Sequence, residues 1–346
     1  MRRLLLLGLP MLFACARGRP AAAPASSDAD AAPFPVVDLM PRFWAFWDQD
    51  RPAAGADSAE LVRRFRERVV RPDSVFYARA AGGPSDDRIR AFLGRVGKDV
   101  PAMRVVSERL EHDLGRFSRS FADSFPDFDF RGLVFFYPSL YVRDGGTMDY
   151  PPGVALMFGI DVIARVHGPE ADLAVLFDHE LFHLYHVQVR PLRREGGPPP
   201  LFRRIWGEGL ATYVSQRMNP RATELALLLN DRALLAARTR LPELADSVLA
   251  HLDDTSSAYA RRYLQGGTND PAIPARAGYL VGLRAAQLIG RRRALPELAR
   301  LPDDSVRAEM TRALRALAAG AVPPGSRRPQ PLPPRGVRRP GDPFPP

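Results

Sequence analysis

Five titratable side chains fall within nine residues of one apolar stretch. Asp178, His179, Glu180, His183 and His186 sit inside Asp172 to Val189, surrounded by Leu, Val, Phe and Tyr. Apolar residues on nearly every face predict a buried helix, and buried titratable groups are costly unless something satisfies them. A divalent metal does so directly. His179 and His183 are four residues apart, so on a helix they project from one face about 6 Å apart along the axis. Two imidazoles at that spacing can share one tetrahedral zinc ion. Glu180 lies about 100° further round the helix, placed to bond a water on the ion instead of the ion itself. This is the HExxH pattern, written here His179-Glu180-Leu181-Phe182-His183. His186 lies about 10 Å along the axis from His179 and cannot reach the same ion from a straight helix; it reads as a packing or outer residue.

A zinc ion that performs chemistry needs a third protein ligand and an open position for water. The longer pattern HExxHxxGxxH is absent, because position 186 is His and position 189 is Val. The next carboxylates are Glu195 and Glu208. Glu195 sits in a Gly-Gly-Pro-Pro-Pro loop, a poor place to hold a ligand still. Glu208 opens a second helix in Trp206-Gly207-Glu208-Gly209-Leu210-Ala211-Thr212-Tyr213, and its small neighbours allow that helix to come close to the first. Glu208 is therefore the favoured third ligand. The chemistry this set points to is amide hydrolysis: the metal acidifies a water, Glu180 takes the proton and later delivers it to the departing amine. There is no GxSxG segment, and the single cysteine, Cys15, lies in the leader, so neither a serine nor a cysteine nucleophile is indicated.

His179-Glu180-xx-His183 followed by Glu208-Gly209-Leu210-Ala211-Thr212-Tyr213 resembles the gluzincin peptidases, and the second segment is similar to the EGFATY-type motif of the aminopeptidase N family. The resemblance implies a zincin-like catalytic domain in which the second Glu completes the zinc site. A Tyr downstream of that Glu stabilises the oxyanion in related aminopeptidases. Tyr279, in Arg276-Ala277-Gly278-Tyr279-Leu280-Val281-Gly282, stands at a suitable position, the alternative being a core aromatic on a small-residue helix. Three departures from the pattern matter. The gap between His183 and Glu208 is 24 residues, longer than the aminopeptidase norm. Thr212 stands where thermolysin-like enzymes carry an Asp that orients a histidine, so an outer carboxylate has to come from elsewhere, Asp178 being the nearest choice. The GxMEN segment that grips a free amine has only a loose echo in Gly146-Thr147-Met148-Asp149-Tyr150, which reads rather as a turn, so aminopeptidase specificity is not indicated. Arg42-Phe43-Trp44 and Gly145-Gly146-Thr147 also resemble segments of predicted zinc-dependent proteases of unknown substrate.

The elements that must position these residues are mostly helical. Amphipathic patterns recur at Ser58 to Val70, Asp86 to Val96 and Met103 to Phe121, then several times between Glu170 and Gly320. The helix bearing the histidines starts with Pro169 and Glu170 in its first turn and stops at Arg190 before Pro191. Gly132 to Tyr137 and Gly153 to Ile160 are apolar runs separated by a loop with Gly-Gly and Pro-Pro, and they read as a pair of strands. The expected fold class is α+β, predominantly helical, with a small antiparallel sheet packed beside the HExxH helix. The second strand offers an edge to which an extended peptide can add, though its hydrophobicity equally suits plain core.

Residues 1–14 read as a signal peptide, with Arg2 and Arg3 before a short apolar run from Leu4 to Phe13. Leu12-Phe13-Ala14-Cys15 resembles a bacterial lipobox, which implies an exported envelope protein held to a membrane through a lipid on Cys15; a plain signal peptide with a chance cysteine is the alternative. The expected organisation is a leader over 1–15, a flexible tether over 16–33, an N-terminal helical region over 34–128, a gluzincin-like peptidase domain over 129–320 and a Pro/Arg-rich tail over 321–346. The formal charge of +10 is concentrated at the ends, with +4 in the last 26 residues and +2 in residues 1–31, which leaves about +4 for the body. No basic stripe with interleaved aromatics appears, so no nucleic-acid partner is expected. The expected partners are a peptide or protein substrate and a membrane. A second class of function, an envelope lipoprotein whose zinc is structural or inactive and which acts as a binding module, is disfavoured by Glu180, since a structural site has no use for a carboxylate beside the open position.

Overall fold

A computed structural model describes residues 34–323 apart from 52–56, 152, 192–196 and 266–272. The leader, Cys15, the tether, Glu195 and the tail beyond Pro323 lie outside the described residues. Local signals set many boundaries. Asp57, Ser85, Thr223, Asp231 and Ser256 each cap a helix by accepting backbone N–H bonds from its first turn. In chain order the elements are β1 (Val36–Asp38), α1 (Met40–Ala45), α2 (Ser58–Phe65), α3 (Ser74–Ala81), α4 (Asp86–Val96), α5 (Val100–Ser124), β2 (Leu133–Tyr137), β3 (Gly145–Tyr150), β4 (Gly153–Gly159), α6 (Ile160–His167) and α7 (Leu173–Val189). There follow α8 (Leu201–Met218), α9 (Glu224–Leu227), α10 (Arg232–Ala236), α11 (Leu241–Leu249), α12 (Ser257–Leu264), α13 (Ala277–Ile289), α14 (Leu295–Ala299) and α15 (Asp303–Ala318). The protein is predominantly helical with one small sheet, an α+β arrangement. Among the described residues no helix is long and apolar enough to cross a membrane.

The sheet is mixed, not antiparallel. Its order is β1-β2-β4-β3; β1 runs parallel to β2 and β2 parallel to β4, and only β3 and β4 are antiparallel. The two apolar runs do pair, but in parallel, and the Gly-Gly segment expected to be loop is itself the strand β3. The burial pattern gives the reason. Strand β4 is buried along most of its length, as a central strand must be, whereas β3 alternates between half-buried and exposed positions, as an edge strand does. Side chains alternate across β2: Phe135 stacks on Phe76 of α3 with ring centroids 4.3 Å apart, while Phe136 meets Phe158, which stacks on Phe177 of α7 at 5.6 Å. One face of the sheet is thus covered by N-terminal helices and the other by the helix carrying the histidines. Since β1 completes the sheet from the N-terminal side, residues 34–128 and the elements after them share one core.

Helix α7 begins at Leu173, not at Pro169, because the Asp172 carboxylate caps it by accepting from Val175 N–H at 3.4 Å. Helix α8 lies against it: Ser215 Oγ donates to Val175 O at 3.0 Å, and Asn219 Nδ2 donates to Asp178 Oδ2 at 2.7 Å. On its other side α8 meets α13 backbone to backbone. A Cβ on Gly209 would stand 2.2 Å from the Gly282 carbonyl carbon, and one on Gly282 would stand 2.6 Å from Ile205 O. No side chain can yield to relieve contacts made by backbone atoms. Gly209→Ala is therefore expected to lower the stability of the protein by about 3 kcal/mol, the upper part of the usual cost of overpacking, read as a shifted urea midpoint with unchanged slope.

Candidate metal centre

The α7–α8 packing brings three donors to one point. His179 Nε2 and His183 Nε2 are 3.0 Å apart, and Glu208 Oε2 lies 3.3 Å from each of them. Among the described residues this is the group of His, Cys, Asp and Glu side chains placed to hold a metal ion. Donors on a tetrahedral ion with bonds of about 2.0–2.1 Å are separated by about 3.3 Å, so the observed triangle already has close to the edge lengths that such an ion requires. Glu208 Oε2 is buried, with the two imidazole nitrogens 3.3 Å away as its polar neighbours, a setting in which a shared cation satisfies all three atoms. The residues fit a metal. His179 is nearly buried, while His183 and Glu208 each keep 25% of their side-chain surface exposed, so the triangle has one open side.

The charges at the site are strongly coupled. Burial opposes a charge on His183, yet the Glu208 carboxylate beside it outweighs this and pushes the imidazole up to about 9. Burial likewise opposes ionisation of Glu208, and the two imidazoles, His183 foremost, reverse it and hold the carboxyl well below its ordinary range. Glu180, buried and not part of the triangle, is raised, chiefly by desolvation.

Glu180 has its own seat. A Cβ at position 145 would stand 2.6 Å from Glu180 Oε1 and 2.9 Å from its Cγ, so the glycine at the start of β3 is what lets the carboxylate lie against the strand. Sequence reasoning noted Gly145 only as part of a resemblance. The segment that delivers it is strained: Leu140 and Tyr141 both have left-handed backbone, with φ of 57° and 59°. It is held by a buried carboxylate, Asp161 at the start of α6, which accepts N–H bonds from Ser139 and Tyr141 at 2.6 Å each. Asp144 then accepts from Gly145 N–H at 2.9 Å and meets His167 Nε2 at 3.3 Å, while His167 Nδ1 meets Asn230 Nδ2 at 2.8 Å. None of Asp144, Asp161, His167 or Asn230 was singled out from sequence; a buried acid directly after an apolar strand was the available signal.

Strand β3, not β4, is the edge of the sheet on this side. Strand β4 lies between two partners and has no free edge to offer, contrary to the sequence reading. Gly159 N–H donates to Asp144 O at 2.9 Å, which fixes the alternation: Gly145, Thr147 and Asp149 turn their backbone polar groups away from β4. Asp144 takes the outward N–H of Gly145, and Arg79 donates to Asp149 O at 3.4 Å. The segment Gly146 to Tyr150 is thus strand and not turn.

Tyr279, in the first turn of α13, is brought to the site. Its ring stacks on His179 with centroids 6.0 Å apart and planes 14° from parallel. Burial, then the Glu208 and Glu180 carboxylates, push its phenol well above the ordinary value, so it remains a proton donor. His186 stands apart from the triangle and packs on Phe182 at 5.3 Å, with burial pushing its imidazole down to about 4. Asp178 does not orient either histidine: one position from His179, it faces the end of α8, where one oxygen accepts from Asn219 and the other has no partner. Comparison of the chain with protein-family models, with curated proteins and with solved structures finds no match.

This geometry makes two measurable demands. Alanine at His179, His183 or Glu208 is expected to weaken metal binding by more than the roughly 10–100-fold typical of outer partners, whereas Glu180→Gln retains the ion; metal per chain after dialysis, read by plasma mass spectrometry, checks both. The second concerns Asp161, which burial raises to about 6 from an ordinary 3.8. A raised carboxyl contributes stability that is complete at low pH and lost as pH rises through the folded value. The stability difference between wild type and Asp161→Asn should therefore move against wild type between about pH 4 and 6, by no more than about 3 kcal/mol, as measured by urea denaturation at each pH.

Proposed function

We propose that this protein is a zinc-dependent peptidase that hydrolyses peptide bonds through an activated water. One observation carries the reading: a triangle of two imidazole nitrogens and a carboxylate oxygen, open on one side, with a separate raised carboxyl seated beside it on a strand edge. A structural site closes all its positions with protein ligands, and neither an open side nor Glu180 has a purpose there. Zinc held by His179, His183 and Glu208 supplies Lewis acidity to the carbonyl and acidifies a water.

The remaining work falls to the chain. The Glu180 carboxylate, resting on Gly145, accepts the proton from the attacking water and passes it to the departing amine nitrogen. The Tyr279 phenol, kept protonated, donates to the oxyanion as it develops. The substrate backbone pairs with the outer edge of β3 at the Gly145 carbonyl and at Thr147, a pairing that presents the scissile bond next to Glu180. The lipobox-like leader ending at Cys15 supports placement in a bacterial envelope, held to a membrane by a lipid.

On a mixed peptide library, Glu180→Gln is expected to lower kcat/KM by roughly 10²–10⁴-fold with zinc retained, and Tyr279→Phe to lower kcat by up to about 10²–10³-fold with little change in KM. Cleavage should vanish on chelation and return with zinc. Undiminished cleavage by Glu180→Gln would sink the reading.

A further inference from the structure

Helices α8 and α13 run side by side in the same direction. Gly209 meets Gly282 in their middle, and Gln216 meets Gln287 near their ends, so both helices finish at one place. A groove of about 800 Å³ opens there, lined by none of the residues of the metal centre. Its charged lining is four arginines, Arg217, Arg284, Arg291 and Arg292, against one acid, Glu224.

The single acid is already engaged. Arg284, only 3% exposed, ion-pairs with Glu224 and donates to Gln287 Oε1 at 3.0 Å, and Gln287 Nε2 donates to Gln216 Oε1 at 2.8 Å. Arg238 also pairs with Glu224, at 3.2 Å. This network forms a rigid polar wall, and it leaves the groove with the charge of the other three arginines. Arg217 places one N–H on Tyr213 Oη at 2.9 Å; among the described residues no carboxylate pairs with Arg217, Arg291 or Arg292. Two helix C-termini point at the groove, and their dipoles favour cations nearby. That effect accounts for single positive charges at helix ends. It does not account for three exposed guanidiniums lining one groove with no carboxylate partner among the described residues.

We propose that this groove binds a phosphoryl-bearing anion carrying two or more negative charges. The three arginines present only donors, and guanidinium forks match phosphoryl oxygens in bidentate pairs. A phosphoryl group brings about −1.5 to −2 charge and three acceptor oxygens, enough to engage more than one of the forks, whereas a lone carboxylate brings one charge. The source is either a soluble phosphate ester or a phospholipid headgroup, and the two share this chemistry. The site is independent of the metal centre, but its occupant would clamp together the ends of the two helices that carry Glu208 and Tyr279.

The test is isothermal titration of the full-length chain with pyrophosphate, with citrate, and in a parallel arm co-sedimentation with vesicles of phosphatidylglycerol or phosphatidylcholine. Saturable one-to-one binding of pyrophosphate is expected, weakened by about tenfold or more in Arg291→Ala/Arg292→Ala. A control with equal charge loss outside the groove lining, Arg71→Ala/Arg88→Ala in the N-terminal helices, is expected to bind as wild type does. Arg217→Ala, which removes one exposed cation, keeps the question answerable if the double variant does not fold. Sedimentation with phosphatidylglycerol that depends on Arg291 and Arg292 supports a headgroup as the source; pyrophosphate binding without it supports a soluble ester. Absence of saturable pyrophosphate binding, equal weakening in the control, or tighter binding of citrate than of pyrophosphate would overturn the proposal.

Discussion

The fold is organised around three lone pairs that have to share a space too small for them. Two imidazole nitrogens at 3.0 Å and a carboxylate oxygen 3.3 Å from both are brought together by the packing of α7 on α8. Within the protein only protonation of an imidazole eases this crowding, by setting a cation beside the Glu208 carboxylate. A divalent ion removes the conflict at all three atoms at once, and its binding energy then becomes part of the stability of the α7–α8 contact. That contact is locked from both sides: α7 is seated on the sheet through Phe177 and Phe158, and α8 is pressed against α13 at the Gly209–Gly282 crossing.

Strain is stored next to this cluster and held in place by hydrogen bonds. Two successive left-handed residues, Leu140 and Tyr141, cost about 1–3 kcal/mol each. The two short bonds from Ser139 and Tyr141 N–H to the Asp161 carboxyl contribute about 1.5–3 kcal/mol each when that group is charged. Burial of Asp161 opposes that charge, so the two bonds hold the turn against a desolvation cost. Its effect reaches the site along the chain, since the same segment leads into Asp144 and Gly145, where Glu180 rests.

The parallel run of α8 and α13 separates two chemistries along one pair of helices. Glu208 stands midway along α8, which begins at Leu201 and not at Glu208 as the sequence suggested, and Tyr279 stands in the first turn of α13, with the unpaired arginines at the ends of both helices; Gln216 lies about 12 Å along the α8 axis from Glu208. The arginines lie at the helix ends, and the donor triangle lies a turn or more inside, where the influence of the helix dipoles has faded.

The sequence by itself determined the features that helical periodicity and residue chemistry dictate. The i, i+4 placement of His179 and His183, the offset of Glu180, the exclusion of His186 and the choice of Glu208 are consequences of a 3.6-residue repeat and of small residues beside a carboxylate. Folding brings His179, His183, Glu180 and Glu208 to one place and leaves His186 outside it. The predominance of helix was legible for the same reason. Only the tertiary structure decided the sheet order, which strand is its edge, the partner of Asp178 and the position of Tyr279 over His179. Those depend on contacts between residues far apart in the chain: β4 is central because β2 pairs with one of its edges and β3 with the other. Asp161 was invisible for a related reason, because a lone buried acid shows its purpose only when the N–H groups of Ser139 and Tyr141, 22 and 20 residues away, fold back onto it.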